Sequence, residues 1–280
     1  LKGSFGRSTK GIFVRKALVT TQFVISIAFI AGTAIMLMQV NFLQNKDVGL
    51  ATEQRLAILG PAGYTNEISQ NKEVFLNQLT ELSYVKQYSA SGGIPGRGIN
   101  FSFTNFAREK DQMEASVKGY SMLFIDEEYF DIYGIDIVAG NAPTAEMVET
   151  GWWQHKKILI NETAAHQLGF ERAADAVQQI VYYKNGDTVD ELEIYGVVKD
   201  YNHRSLHADM MPLVFGPGSN HVWFTVLLES EISQDQLATL EQLYQERFPK
   251  DPFIYQFVDE YYRQFYEADL RLSKLISAAT

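Results

Sequence analysis

The sequence predicts an α+β fold: a two-lobed domain of mixed sheets and helices, preceded by one transmembrane helix and ended by a stalk helix. Three observations predict it. Between Lys16 and Lys46 there is no charged residue, and residues 17–38 are apolar apart from Gln22 and small or hydroxyl side chains. Strand-like alternation and helix-like spacing then succeed one another, mixing hairpins with crossovers in the manner of α+β rather than doubly wound folds. The stretch 259–277 returns to a helical pattern and turns apolar again at "LISAAT".

The first element is the membrane helix, placed at 17–40. A bilayer core of about 30 Å needs roughly 20 apolar residues at about 1.5 Å each, which this run supplies. A secretory signal has an apolar stretch of only about 7–15 residues before its cleavage site. Here "IAGTA" (30–34) is followed directly by "IMLMQV". A core helix of a soluble protein keeps a polar stripe, and this one has none. Lys2, Arg7, Lys10, Arg15 and Lys16 precede the run with no acid among them, so residues 1–16 are expected in the cytoplasm and the rest outside. Residues 1–46 hold six of the 24 Lys and Arg and no acid, so the chain's net −10 leaves residues 47–280 at −16. Such an acidic body excludes nucleic acid as a partner. A hydrophobic share of 46% is too high for a disordered chain. The absence of cysteine excludes a disulfide framework, thiol catalysis and thiolate metal sites.

The outer elements follow in order. "VNFLQNKD" continues the first helix without a breaker until Gly49, as a stalk. "RLAIL" (55–59) reads as a strand ended by Gly60-Pro61. Residues 66–82 place Ile68, Val74, Phe75, Leu79 and Leu82 at near-helical spacing, with Asn66 as the N-cap. A strand (84–91) is broken by "GGIPGRG" (92–98), expected to be a mobile loop. Residues 99–107 alternate as one strand, with 115–124 as hairpin partner. A short helix (126–134) ends at Gly134 before the strand "IDIVAG" (135–140). Then come a strand (156–161), a helix (162–170) closed by Gly169, and two strands about Asn185-Gly186 joined by a loop longer than two residues. A strand (221–230), an amphipathic helix (233–249), a last strand (253–258) and the stalk helix (259–280) complete the chain, cut where a second span begins.

Candidate chemistry is sparse. His203 and His207 are four apart with Asp200 and Asp209 nearby, the spacing by which one helix face offers two ligands to zinc. The intervening Glu of a HExxH hydrolase is missing and Met210-Met211-Pro212 cuts any helix short, so a structural or solvated pair is the better reading. His155, His166 and His221 are isolated fillers. The glycines of 92–98 lack the strand-and-helix context of a phosphate cradle. Asp126, Glu127, Glu128, Asp259 and Glu260 sit at expected helix starts, where negative charge suits the dipole. Trp152-Trp153 with Tyr182-Tyr183 offer either packing or, less favoured, an aromatic binding surface. No catalytic, cofactor-binding or metal residue is assigned, and the chain reads as no enzyme.

Several stretches occur together in one order: "LKGSFGRSTKGIFVRKALVTTQFVISIAFIAGT" with "FLQNKDVGL", then "GGIPG" (92–96), "YFDIYGIDIVAG" (129–140), "ILINETAAHQLG" (158–169), "YGVVKDYNHRSLH" (195–207) with "MPLVF", and "VDEYYRQFYEADLRLSKL" (258–275). The chain thereby resembles FtsX-like/MacB-type ABC transporter permeases in their Bacteroidetes long form, over nearly its whole length. It departs at Gly140-Asn141-Ala142-Pro143, at "AADAVQQ" (173–179) and at the inserted "ETGWWQHK" (149–156). The resemblance implies a periplasmic core domain at 41–258 in the cell inner membrane, coupling ATP hydrolysis to export, extraction or mechanotransmission. It implies a cytoplasmic ABC ATPase subunit, a second permease copy or half, a periplasmic adaptor or outer-membrane protein, and membrane lipid as partners. The chain itself has no GxxxxGK[ST] nucleotide loop and needs no cofactor. A membrane-anchored sensory ectodomain is the alternative, and a tethered metal hydrolase a third.

Overall fold

The structure, a computed structural model, describes residues 9–45, 49–63, 65–113, 118–204, 209–219 and 221–264. It divides into two units, residues 1–46 with 264–280, and residues 47–263.

In the first unit, α1 (Thr9–Asn45) is a single helix of 37 residues, about 55 Å long, which exceeds the 17–40 expected at both ends. Its segment Ile12–Met38 has a mean hydropathy of 1.9 and none of its side chains is buried, so it is long and apolar enough to cross a membrane. The Thr33 hydroxyl donates to the Phe29 carbonyl at 2.8 Å, so this polar group is satisfied within the helix.

The second unit is one mixed sheet with helices packed on it. Its elements in chain order are β1 (Arg55–Leu59), α2 (Asn66–Thr80), β2 (Val85–Ser91), β3 (Phe101–Phe103), β4 (Phe106–Ala107), a 3-10 turn (Lys110–Gln112), β5 (Tyr120–Ile125), α3 (Tyr129–Ile132) and β6 (Ile137–Gly140). These are followed by α4 (Ala145–Thr150), α5 (Trp152–His155), β7 (Lys157–Asn161), α6 (Glu162–Gln167), α7 (Ala173–Ala176), β8 (Ile180–Asn185), β9 (Thr188–Val198) and β10 (Leu213–Pro217). The last are β11 (Trp223–Leu228), α8 (Gln234–Arg247), β12 (Tyr255–Phe257) and α9 (Val258–Gln264). The sheet runs β12-β1-β11-β2-β5-β10-β7-β9-β8-β4, with β3 on β5 and β6 on β9. β5/β10 and β7/β9 are parallel and the other pairs antiparallel.

Two cores sit along this path. At one end α2 and α8 place Phe75, Leu79, Leu240, Tyr244 and Phe248 on Leu56, Ile58, Phe224 and Val226. Toward the other, Ala164, Ala165, Leu168 and Phe170 cover Ile158, Ile160, Val181, Leu192, Ile194, Val197 and Val214. The two expected lobes are thus joined by a continuous sheet.

Local chemistry moved several expected boundaries. The cap of α2 is Thr65, not Asn66: Thr65 has extended backbone and its hydroxyl accepts from the Ile68 N–H at 3.2 Å. The strand expected over 99–107 is split, because Asn105 adopts φ +59 and sends β3 to β5 and β4 to β8. The β8–β9 loop is only Gly186-Asp187, since Asn185 pairs with Thr188, and Gly186 takes φ +60 at its first position. The expected helix 126–134 shrinks to α3, because Asp126 is held by β2 instead. β10 was not expected; it is buried at every position, and a short continuous apolar run has no period to mark it. Of the stalk helix expected over 259–280, residues up to 264 are helical and the remainder lies outside the described residues.

Candidate functional site

The chemistry of the second unit gathers at the turn after β9, residues 200–203, which both ends of that unit contact. Gly49, at φ +78, lies so close that an added Cβ would stand 3.0 Å from the Asp200 carbonyl oxygen and 3.2 Å from the Tyr201 Cα. Ala51 N–H donates to the Tyr133 carbonyl at 2.7 Å. From the other end, the Tyr262 hydroxyl of α9 donates to the Asn202 carbonyl. Asp200 anchors the turn to α6: its two carboxylate oxygens accept from the Thr163 N–H (3.0 Å) and hydroxyl (2.7 Å), and its own N–H donates to Glu162 Oε2.

Beneath the turn lies a tyrosine cluster. Tyr129, Tyr133 and Tyr201 are buried, with the Tyr129 and Tyr133 rings 5.0 Å apart and Phe215 under Tyr129, Phe130 and Tyr201. Burial raises all three phenols, so they stay protonated. Their hydroxyls form a directed chain. Tyr129 donates to Tyr201 (3.4 Å), Tyr201 to His203 Nδ1 (3.3 Å), and His203 Nε2–H to the Gly98 carbonyl (3.2 Å). Only neutral imidazole, protonated at Nε2, supports this order. Burial is the main cause that lowers His203 from 6.5 to about 4, against the Gly98 carbonyl, which raises it; nearby Arg204 lowers it further. Tyr133 closes the cluster with a 2.8 Å bond to Thr225 Oγ1 of β11.

The Gly-rich segment 92–98, expected to be a mobile loop, is a packed strap over this cluster. Gly96 N–H donates to the His203 carbonyl at 2.6 Å, and Ile94 and Arg97 bond each other's backbone. A Cβ on Gly93 would come within 2.3 Å of the Gly98 carbonyl oxygen, so only glycine fits. Arg97 lies 5.1 Å over Trp223 and donates to Gln256 of β12. The amides of Gly92, Ile94, Gly96 and Arg97 are therefore already spent on backbone carbonyls.

The other sequence-singled residues divide plainly. His203 has both nitrogens engaged and Asp200 both oxygens, Asp209 is exposed, and His207 lies outside the described residues. Among the described residues no three His, Asp or Glu side chains converge as metal ligands. Asp126 is not a solvated helix-start acid: it is buried and accepts from Ser89 Oγ (2.7 Å) and the Ala90 N–H, and desolvation lifts it from 3.8 to about 7. Asp259 and Glu260 do stand in the first turn of α9. Trp152 packs against Phe124 and Gly216, and Tyr183 against Phe103 at 5.1 Å. His155 lies beside Thr150, and His166 is exposed. Sequence reading missed the tyrosine cluster. The i,i+4 pair Tyr129/Tyr133 in "EYFDIYG" was the one local signal for it.

No family model and no curated protein matches the sequence. Solved structures do match. The periplasmic region of MacB from Actinobacillus actinomycetemcomitans superposes with a TM-score of 0.50 at 15% identity, over 79% of this chain and 96% of that one. The extracellular domain of the noncanonic ABC-type transporter YknZ from Gram-positive bacteria aligns with a TM-score of 0.43 at 17% identity, over 72% and 98% of the two chains. The chain carries the α+β fold of the MacB periplasmic region.

Proposed function

We propose that the chain is part of an ABC transporter permease, with no catalytic role of its own. Residues 1–16 are cytoplasmic, 17–40 span the inner membrane, 41–258 form the two-lobed periplasmic domain and 259–280 the exit stalk. The observation that carries this reading is the fold, which spans nearly all of the MacB periplasmic region and follows a helix that is apolar and without charge from residue 17 onward. A separate cytoplasmic ATPase hydrolyses ATP, and a second permease copy or half completes the transporter. A periplasmic adaptor or outer-membrane protein and the surrounding lipid are its remaining partners.

Residues 200–203 are where coupling would enter the outer domain. Gly49 of the domain and Tyr262 of the exit stalk both touch that turn, and the chain Tyr129–Tyr201–His203–Gly98 ties it to the strap and thereby to β11 and β12. A displacement of either end is passed on through buried, hydrogen-bonded groups that switch between discrete arrangements instead of deforming smoothly.

The native chain has no cysteine, which makes the test direct. Single Lys10→Cys and Ser219→Cys variants in intact cells are treated with a membrane-impermeant maleimide. Ser219→Cys labels from outside and Lys10→Cys only after lysis. The full chain also co-purifies in detergent with an ABC ATPase and stimulates its hydrolysis. Labelling of the opposite pattern, or a chain that brings down no ATPase, overturns the assignment.

A further inference from the structure

Arg97, at the crest of the strap, is a cation that no acid answers. The chain holds 34 Asp and Glu against 24 Lys and Arg, yet among the described residues none of those acids pairs with it. Its guanidinium is exposed but held in place. It lies 5.1 Å over the Trp223 ring, and Nη1 donates to Gln256 Oε1 at 3.2 Å. The rest of its fork of N–H donors has no side-chain acceptor among the described residues.

Beside that cation stands a buried donor with nothing to donate to. Trp223 is only 3% exposed, and its Nε1–H makes no hydrogen bond among the described residues. Buried indoles ordinarily find this group a partner, because leaving it unmet costs stability. Gln256 Nε2 also lacks a partner, but it is sealed from solvent, whereas Trp223 Nε1 is not. Gly98 lies at that opening: it is exposed, and the Cβ that it lacks would stand 3.6 Å from Nε1. The missing side chain leaves the indole edge approachable, one residue along from Arg97.

We infer that Arg97 and Trp223 Nε1–H together bind a carboxylate, one oxygen on each donor. With the guanidinium carbon 5.1 Å from the ring centre, two oxygens of one group, each about 2.9 Å from its donor, reach both. A water molecule meets the indole N–H but leaves the charge of Arg97 unbalanced. A doubly charged phosphate brings more negative charge than Arg97 offsets, into residues 47–280 that already stand at −16. A carboxylate matches the site in both respects, with one charge and two acceptor oxygens. An acidic side chain of a peptide and a peptide's C-terminus present the same group.

The test uses the full chain in detergent, its tryptophans labelled with the heavy nitrogen isotope for magnetic resonance. The three tryptophans give one indole signal each, and Trp223→Phe identifies the signal that belongs to Trp223. Acetate, added at constant ionic strength, shifts that signal saturably at concentrations on the order of millimolar, whereas its neutral analogue acetamide and chloride do not. Arg97→Gln, whose fold is checked by near-ultraviolet circular dichroism, weakens the acetate response about tenfold or more. Capped Ala-Glu-Ala and Ala-Ala-Ala with a free C-terminus then report which source of carboxylate the site takes better. A Trp223 signal that ignores acetate, as it does where water alone occupies the place, overturns the proposal. So does one that moves equally with acetamide or chloride, or that keeps its response in a folded Arg97→Gln chain. No ATPase is present in this measurement, so its failure leaves the transporter reading untouched.

Discussion

At the scale of single residues, three buried titratable groups set how stability responds to pH. His203 and His221 are each lowered by burial to about 4, so below pH 6.5 the unfolded chain takes up protons that the folded one refuses. Their contribution is full above about pH 6.5, falls as pH drops toward about 4, and is flat below that. For His203 alone the loss is about 3 kcal/mol at most, taking about 1.4 kcal/mol per pH unit. Asp126 acts in the opposite sense. Raised to about 7, it holds its proton when folded, so its contribution is full below pH 3.8 and is lost as pH rises to about 7. Between pH 4 and 6.5 the two histidines outweigh the one carboxyl, and stability rises with pH. Asp126→Asn removes the opposing group, and urea titrations at pH 4.5, 5.5 and 6.5 then give a steeper rise than in the native chain. An unchanged or shallower slope contradicts the burial of a neutral Asp126. His203→Phe keeps the ring but ends the donor chain at Tyr201, and the slope over the same range falls. These roles were not legible in the sequence: "NHRSLH" presents His203 as half of a metal-ligand spacing, and its actual partners, Tyr201 and Gly98, stand at distances of two and about a hundred residues.

At the scale of elements, α2 and the strap show what local pattern can and cannot reveal. The spacing of Phe75 and Leu79 announced a helix, and the structure buries both against β1, β11 and α8. Phe75, ringed by Phe224, Tyr244 and Phe248 at 5.7–6.0 Å, leaves a large cavity when cut back. Phe75→Ala therefore costs about 3–5 kcal/mol in chemical denaturation, whereas Thr65→Ala, which removes only the cap of the same helix, costs about 1 kcal/mol. The strap reads as a loop from its glycines, but composition does not say whether a glycine frees the chain or lets two segments touch. The 2.3 Å approach between Gly93 and Gly98 answers that here. Gly93→Ala forces the strap off the His203 turn and lowers stability by about 1–3 kcal/mol; a variant that melts like the native chain refutes the packed strap. β10 and the α4–α5 segment were unreadable for a related reason: one is apolar at every position, and the other is too short to show a period.

At the scale of the whole molecule, charge and hydropathy were legible and topology was not. The apolar run, the cationic foot and the acidic body are properties of contiguous sequence. The sheet is assembled from strands far apart, with β5 beside β10 and β1 between β11 and β12, and no local signal encodes such neighbours. The longest element gives the clearest prediction at this scale. With about 20 residues needed to cross the bilayer, α1 at 37 residues is long enough to cross it with several turns to spare. The chain accordingly stays in the membrane pellet after alkaline carbonate and leaves it only in detergent, and release by carbonate alone rules out a spanning α1. Gly49 and Tyr262, near the two ends of the second unit, fasten to adjacent residues of a single corner. A body whose entrance and exit share one doorstep is a cassette: it can be cut out, exchanged or enlarged without altering the spacing between its two ends.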